Sequence, residues 1–345
     1  MKELPKIINS KNELEELLSL PEKETVAFFK KLEGDIIFLG IGGKIGPSLA
    51  NMAVHACNLA GVKKKVYGVS RFSKLEEKKL IESFGIETIQ GDLLDRNFLE
   101  SLPKVKNVFY LAGMKFGSEE NQSLTWAMNS YLPGLVAEYY KDSCIVAYST
   151  GCVYPLVSLQ SGGSKETDNP NPVGEYAQSC LGRERMFEYV SRKHKTPVVL
   201  IRLNYAVELR YGVLLDVALK IKNNIPVDLE MGYFNVIWQG DANNQVLRSL
   251  AITKSPAAVL NISGSDILSV QNLALEFGKF LGKEVKFIGK EASTALLNNT
   301  TKAIDLFGSP KVPVEKVIKW IASWVQNENK VLGKPTYFEV RDGKY

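Results

Sequence analysis

Short, almost unbroken apolar runs alternate along the chain with longer stretches in which apolar and charged positions recur every three or four residues. The runs read as strands buried on both faces, and the stretches as amphipathic helices. Strands are predicted at 35–40 (DIIFLG), 65–69 (KVYGV), 87–90 (ETIQ), 107–111 (NVFYL), 144–149 (CIVAYS) and 197–203 (PVVLIRL). Helical patterns fill the intervals at 46–59, 74–83, 124–140 and 175–192. Strand and helix taking turns in this way predict a doubly wound α/β unit, a parallel sheet with helices on both faces.

Two additions flank that unit. Residues 1–33 form a charged, partly helical extension, read most simply as a solvated helix, with sheet capping or a subunit contact as alternatives. After 203 the rhythm loosens at Pro226, Gly232 and Gly240; from about Ser263 a helix at 270–281, a strand at 284–288 and a helix at 314–326 predict a smaller second α/β unit. The expected boundaries are 1–33 for the extension and 34–203 for the main unit, with a return segment near 236–262. The smaller unit takes 204–235 and 263–345.

Composition narrows the function classes. The 345 residues are 45% hydrophobic and 23% charged, enough for a large core without covalent staples. No apolar run approaches the roughly 18 residues of a membrane span. The first twenty residues carry Glu3, Glu13, Glu15 and Glu16, unlike a secretory signal or an acid-poor transit peptide, so a cytoplasmic location and no membrane partner are expected. Lys plus Arg (43) less Asp plus Glu (38) leaves +5, with no basic block longer than Lys63–Lys64–Lys65, so nucleic acid is not an expected partner. Two histidines (His55, His194) and four scattered cysteines (Cys57, Cys144, Cys152, Cys180) offer no CxxC or HExxH spacing. No metal site is expected, and the cysteines read as free thiols.

The first strand runs into Gly40-Ile41-Gly42-Gly43-Lys44-Ile45-Gly46-Pro47-Ser48. Glycines at such a turn let the backbone approach a pyrophosphate, and the helix that follows aims its N-terminus at the negative charge. Gly40, Gly43 and Gly46 are spaced GxxGxxG, with Ile45 where GxGxxG would need glycine. This spacing resembles the short-chain dehydrogenases/reductases. The length and second domain resemble their extended branch, the NAD-dependent epimerase/dehydratase family.

The resemblance continues in order along the chain. It implies a Rossmann fold with a smaller C-terminal substrate domain, and a nicotinamide dinucleotide held by Gly40, Gly43, Lys44, Ile45 and Gly46. Ser70 and Arg71 end the second strand where NAD-preferring relatives have an acidic residue. A guanidinium there suits a 2′-phosphate, so NADP is the expected cofactor, with NAD the alternative. Asp92 and Leu93, in Gly91-Asp92-Leu93-Leu94-Asp95, match the segment that holds adenine. Ala112, Gly113 and Lys115 match the turn under the cofactor, where sugar-nucleotide 4-epimerases also carry a lysine. Ser149-Thr150-Gly151-Cys152-Val153-Tyr154 resembles "SSxxVYG", which puts the catalytic hydroxyl at Thr150. Asn129 approximates the family's structural asparagine, two residues out of its usual spacing.

The family's active site is Tyr-x-x-x-Lys, in which the tyrosine moves a proton and the lysine lowers its pKa. Here Tyr176 is present, but the lysine position is Cys180. Three readings are open. Another cation, Lys115 or Lys44, stands in for the lysine; Tyr176 acts only as an acid; or the protein binds a dinucleotide without turnover, as a redox sensor or partner subunit. Arg183 lies seven residues beyond Tyr176, about 10 Å along a helix axis, and is read as too distant.

Downstream, Arg202-Leu203-Asn204-Tyr205 stands where the family has "RxxN(V)YGP", with asparagine one position early and no Gly-Pro. Asn204, Tyr205, Trp238 and Gln239 are the candidate substrate residues, with Trp238 also read as core. Arg210, Lys220 and Arg248 are candidates for meeting an anionic substrate. The expected function is an NAD(P)-dependent oxidoreductase or epimerase/dehydratase acting on a sugar, sugar nucleotide or related polyol. A homodimer through 124–140 and 175–192 is implied by the resemblance.

Overall fold

The computed structural model describes residues 4–344. Residues 1–3 and 345, at the outer limits of the expected extension and smaller unit, lie outside the described residues. Seven strands build the central sheet: β1 (Ile36–Leu39), β2 (Val66–Ser70), β3 (Glu87–Gln90), β4 (Asn107–Tyr110), β5 (Cys144–Thr150), β6 (Val198–Leu203) and β7 (Ala258–Ile262). Their order is β7-β6-β5-β4-β1-β2-β3, and every adjacent pair is parallel. This is the expected Rossmann-like α/β fold. Its order reverses at β1, which opens a crevice at the C-terminal ends of β1 and β4.

Side chains alternate across the sheet. Ile36 and Phe38 of β1 join Phe109 of β4 on one face, where Phe38 and Phe109 stack with centroids 4.8 Å apart. That face is covered by α2 (Lys23–Lys31) and α3 (Gly46–Ala60), which follows α1 (Lys11–Leu18) in the chain. Ile37 and Leu39 point to the other face with Val108, Tyr110 and Ile145. α4 (Leu75–Ser83) adds Ile81 to the first face, and the second layer consists of α5 (Arg96–Ser101), α7 (Leu132–Tyr139) and α8 (Gly174–His194). The expected helix at 124–140 is interrupted. A five-residue π-turn, Ala127–Tyr131, joins α6 (Gln122–Trp126) to α7.

The smaller unit collects α9 (Val213–Lys222), α11 (Val270–Leu281) and α13 (Val314–Gln326) around a core of Leu214, Phe234, Phe277, Trp320 and Ile321. The last two helices occupy the residues expected of them. The strand expected at 284–288 is reduced to Phe287–Ile288, paired with Val227–Asp228. Between these elements, α10 (Gln239–Arg248) and α12 (Thr301–Phe307) return to the sheet, where Val246, Leu247 and Ala303 join its core. No helix among the described residues is long and apolar enough to cross a membrane.

The N-terminal extension is not the solvated helix expected of it. Leu14 and Leu18 enter the smaller unit's core, and Phe29 enters the sheet's core. Asn244 of α10 accepts hydrogen bonds from the Glu22 backbone (2.8 Å) and the Thr25 hydroxyl (2.7 Å), while Asn51 of α3 donates to Ser19 (3.0 Å). The many charges of this segment sit on its outer face, and a narrow apolar stripe determines where it docks. Phe29→Ala is expected to cost about 3–5 kcal/mol of stability, as for other buried aromatics truncated to alanine. Urea unfolding measures this, and a loss below about 1 kcal/mol would mean that Phe29 does not anchor α2 in the sheet's core.

Candidate active site

The glycine loop follows β1 and turns where the backbone has no room for side chains. Gly40 has φ +90°, and a Cβ there would lie 2.6 Å from the Ala112 nitrogen at the end of β4. At Gly46, the first residue of α3, a Cβ would collide with the Ile41 carbonyl. A Cβ on Gly42 would meet Ser70 Oγ at 2.6 Å, whereas one on Gly43 would make only an ordinary contact, 3.6 Å from the Gly40 carbonyl oxygen. Ile45 caps α3 without a side-chain hydrogen bond, and the first turn carries no acidic residue. The helix therefore presents backbone N–H groups and positive dipole to the crevice, a cradle whose chemistry fits a pyrophosphate.

The other expected cofactor residues line the same edge of the sheet. Ser70 abuts Gly42, and exposed Arg71 follows it, with the Arg71 carbonyl accepting from Gln90 Nε2 at 3.0 Å. Asp92 is exposed and accepts from the Leu94 backbone (3.0 Å), while Leu93 is buried under the strand ends. Ala112 touches Gly40, and Gly113 comes next in the same turn. Lys44 turns to the smaller unit instead of to Tyr176. Its Nζ donates to the Ala206 carbonyl (2.9 Å) and lies 4.2 Å from the centre of the Tyr211 ring. Burial there pushes its pKa down to about 8.

Across the crevice, β5 ends at Thr150, whose side chain accepts from the Cys152 backbone (3.1 Å) and shares a hydrogen bond with the Tyr176 hydroxyl. Burial raises the ionisation of Tyr176 well above its ordinary value. The Cys180 and Cys152 thiols add to the rise; Arg183 and the Thr150 hydrogen bond oppose it. Cys180 is buried, and its own pKa is pushed up to about 11, chiefly by burial, so it faces Tyr176 as a neutral thiol at neutral pH. Lys115 does approach this cluster. Its Nζ lies 5.8 Å from the centre of the Tyr176 ring and donates to the Thr336 carbonyl (3.2 Å), and burial lowers its pKa.

Arg183 reaches the cluster as well, contrary to its reading as too distant. Its guanidinium donates to the Tyr148 carbonyl (2.9 Å) and to Asn129 Oδ1 (2.7 Å). It lies directly beneath Gly113, where a Cβ would strike it. Asn129, on the π-turn, also accepts from the Met114 backbone N–H (2.9 Å) and donates to the Met114 carbonyl (2.7 Å) and Ser179 (3.0 Å). The signal for Arg183 was available in helix geometry. Side chains on a helix lean toward its N-terminus, so a long arginine recovers much of the rise that separates it from Tyr176.

The next residue, Glu184, faces the sheet. Its carboxylate accepts from Arg202 Nε (3.0 Å) and a terminal nitrogen (2.7 Å), and from Ser149 Oγ (2.6 Å). Of the candidate substrate residues, Asn204 is buried and donates to Asn235 Oδ1 (3.3 Å) and the Leu296 carbonyl (3.4 Å). Tyr205, at φ +43°, packs 5.9 Å from Phe234. Trp238 takes its core reading, and Gln239, expected at the substrate, is built into the interior as well. Trp238 lies against Trp320 at 5.4 Å, and Gln239 donates to Ser48 on α3 at 2.9 Å. Of the anion candidates, Arg210 pairs with Glu15 (2.6 Å) and Glu208 (3.1 Å), Lys220 with Glu339, and Arg248 with Glu22 (3.5 Å).

Residues 36–207 match the model of the NAD dependent epimerase/dehydratase family. The chain belongs to that family. Solved structures of similar fold include the UDP-glucuronic acid 4-epimerase from Bacillus cereus in complex with NAD. It is 18% identical, with a TM-score of 0.71 over 86% of this chain and 100% of that one. The UDP-glucose 4-epimerase from Thermotoga maritima with UDP-glucose is also 18% identical, with a TM-score of 0.69 over 85% of this chain and 99% of that one. MoeE5 in complex with UDP-glucose and NAD is 17% identical, with a TM-score of 0.67 over the same shares. No curated protein sequence matches the chain.

Within this epimerase/dehydratase architecture the unusual glycine-loop lysine has a measurable consequence. Unfolded, Lys44 keeps its proton to about pH 10.5; folded, it keeps it only to about pH 8. Between these values the unfolded chain binds more protons, so Lys44 makes stability rise with pH across that window. Lys44→Met is expected to lack this rise when urea unfolding at about pH 7.5 and about pH 10 is compared. An equal rise in both proteins would mean that the Lys44 amine is not buried as described.

Proposed function

We propose that this epimerase/dehydratase family member is an NAD(P)-dependent enzyme that epimerises or otherwise transforms a sugar nucleotide or related carbohydrate. The observation that carries this reading is the Tyr176–Thr150 pair, joined by a hydrogen bond across the crevice from the glycine cradle. The bound dinucleotide supplies the hydride acceptor and donor. Gly40, Gly43, Ile45 and Gly46 give it backbone room and the N-terminus of α3, with Ser70, Asp92, Leu93, Ala112 and Gly113 along its edges. Tyr176 gives and takes a proton at a substrate hydroxyl, and Thr150 holds that oxygen in line. Lys115 brings an amine to the same space. Asn204 and Tyr205 begin the segment that seats the remainder of the substrate.

Arg71 supports a preference for NADP, since its exposed guanidinium at the end of β2 can pair with a 2′-phosphate. Association as a homodimer is supported by exposed apolar residues on neighbouring helices: Leu124, Trp126 and Tyr131 beside Met186 and Tyr189. The proposal takes the reaction to run in the cytoplasm. One observation favours a second reading, a dinucleotide-binding protein without turnover: Cys180 in the position of the family's lysine.

Two measurements test these proposals. UDP-sugars are assayed for epimerisation, with the nucleotide released on denaturing the protein identified by mass spectrometry. Tyr176→Phe is expected to lower kcat about 10²–10⁴-fold while the released nucleotide is unchanged; full turnover in the variant would refute the assignment of Tyr176. Arg71→Ala is expected to weaken NADPH binding at least about tenfold more than NADH binding in fluorescence titrations. Equal weakening of both would remove the 2′-phosphate role.

A further inference from the structure

Arg183 is a buried cation without an anion. It forms no ion pair among the described residues, and the adjoining carboxylate, Glu184, is already bonded to Arg202 and Ser149. Its guanidinium has two fixed partners, the Tyr148 carbonyl and Asn129 Oδ1, while buried Nε has none. It also lies 5.8 Å from the centre of the Tyr110 ring. Leaving a full positive charge unpaired in the interior is costly, and a fold that keeps one there has a field directed at something nearby.

What lies nearby is the Tyr176 cluster. Cys180 is one helical turn before Arg183 and Tyr176 another turn before that, so all three share one face of α8. The arginine side chain runs back along this face toward Tyr176. The other titratable groups around Tyr176 are Cys152, which follows β5, and Lys115, which follows β4. Both thiols oppose formation of a phenolate. Lys44 is held by the smaller unit; Lys115, with Nζ 5.8 Å from the centre of the Tyr176 ring, also donates to the Thr336 carbonyl, and burial lowers its pKa, whereas a guanidinium stays charged.

We propose that Arg183 supplies Tyr176 with the positive charge that Cys180 cannot, acting from beneath the Ala112–Gly113 turn as a positioning residue for proton transfer. The proposal rests on the reading of Tyr176 as the group that moves the proton. Arg183 keeps its charge across the working pH range, and its planar fork is fixed at two corners by Tyr148 and Asn129. The charge therefore stays in place as the tyrosine loses and regains its proton. Asn129 links the device to the crevice floor, since the same side chain holds both the guanidinium and the Met114 backbone.

The test puts a fluorinated tyrosine at position 176, whose ring fluorines make the phenol more acidic, and follows its ionisation by ¹⁹F NMR in the full chain without added nucleotide. Arg183→Gln is expected to raise the midpoint by about one pH unit, a tenfold change, while Arg183→Lys keeps it within about threefold of the parent. An unmoved midpoint in folded Arg183→Gln protein would reduce Arg183 to a packing strut and overturn the proposal. Should Arg183→Gln fail to fold, Arg183→citrulline, the uncharged isostere that keeps the bonds to Tyr148 and Asn129, decides: a rise of about tenfold supports the proposal, and an unmoved midpoint overturns it. The titration needs neither substrate nor turnover. Its failure is thus distinguishable from failure of the proposed reaction, which the Tyr176→Phe assay reads.

Discussion

Two full charges of opposite sign, Arg183 and Glu184, are consecutive residues of α8, and both are buried. Neither can be left to water, so each must find fixed partners, and these lie in different directions. Glu184 turns to the sheet, where Arg202 and Ser149 tie α8 to β6 and β5. Arg183 turns to the crevice, where Tyr148 and Asn129 hold it. Rotating α8 about its axis would break both sets at once. The helix that carries Tyr176 is therefore locked in angle by electrostatics, in addition to the apolar contacts of Phe187 and Val190 with the sheet.

A steric constraint connects this lock to the glycine cradle. The turn after β4 is squeezed from two sides. Ala112 lies against Gly40 of the cradle, and Gly113 lies against the Arg183 guanidinium. Substituting either glycine with a larger residue would push the turn away from one side and into the other. Asn129 fixes the following residue, Met114, through both its N–H and its carbonyl. That arrangement depends on the π-turn: an extra residue in the helical turn re-aims a side chain that a regular helix would point elsewhere. Cradle, turn and tyrosine helix thus behave as one rigid assembly at the C-terminal ends of β1, β4 and β5.

How much of this was legible in the sequence depended on whether a signal was local. The strands β1, β4, β5 and β6 are covered on both faces, so their sequences are continuous apolar runs and their positions could be read directly. β7 completes the sheet beside β6, yet its AVLNI is interrupted by the polar Asn261 and follows a stretch without clear strand rhythm. The extension was misjudged because its charges outnumber Leu14, Leu18 and Phe29, although those few residues determine its docking. The inward turn of Gln239 was not legible, because which way a side chain faces at the start of α10 depends on a tertiary partner, here Ser48. Arg183 was set aside because its separation was measured along the helix axis, while the charge sits at the end of a long side chain that leans back.

The missing lysine reads differently once Arg183 is in view. A lysine at 180 would stand on the same helical face, one turn from a guanidinium that has no carboxylate of its own. Two buried cations so close repel strongly where water cannot screen them. A cysteine there is small and, with its pKa pushed up to about 11, uncharged at neutral pH. It fills the gap between Tyr176 and Arg183, where Val153, Tyr154 and the partly buried Leu181 close the cluster, without adding a second charge. An uncharged side chain at 180 therefore suits the buried guanidinium at 183. Exchanging position 180 alone for lysine would add a charge that the surrounding partners, already committed to Arg183, have no means to satisfy.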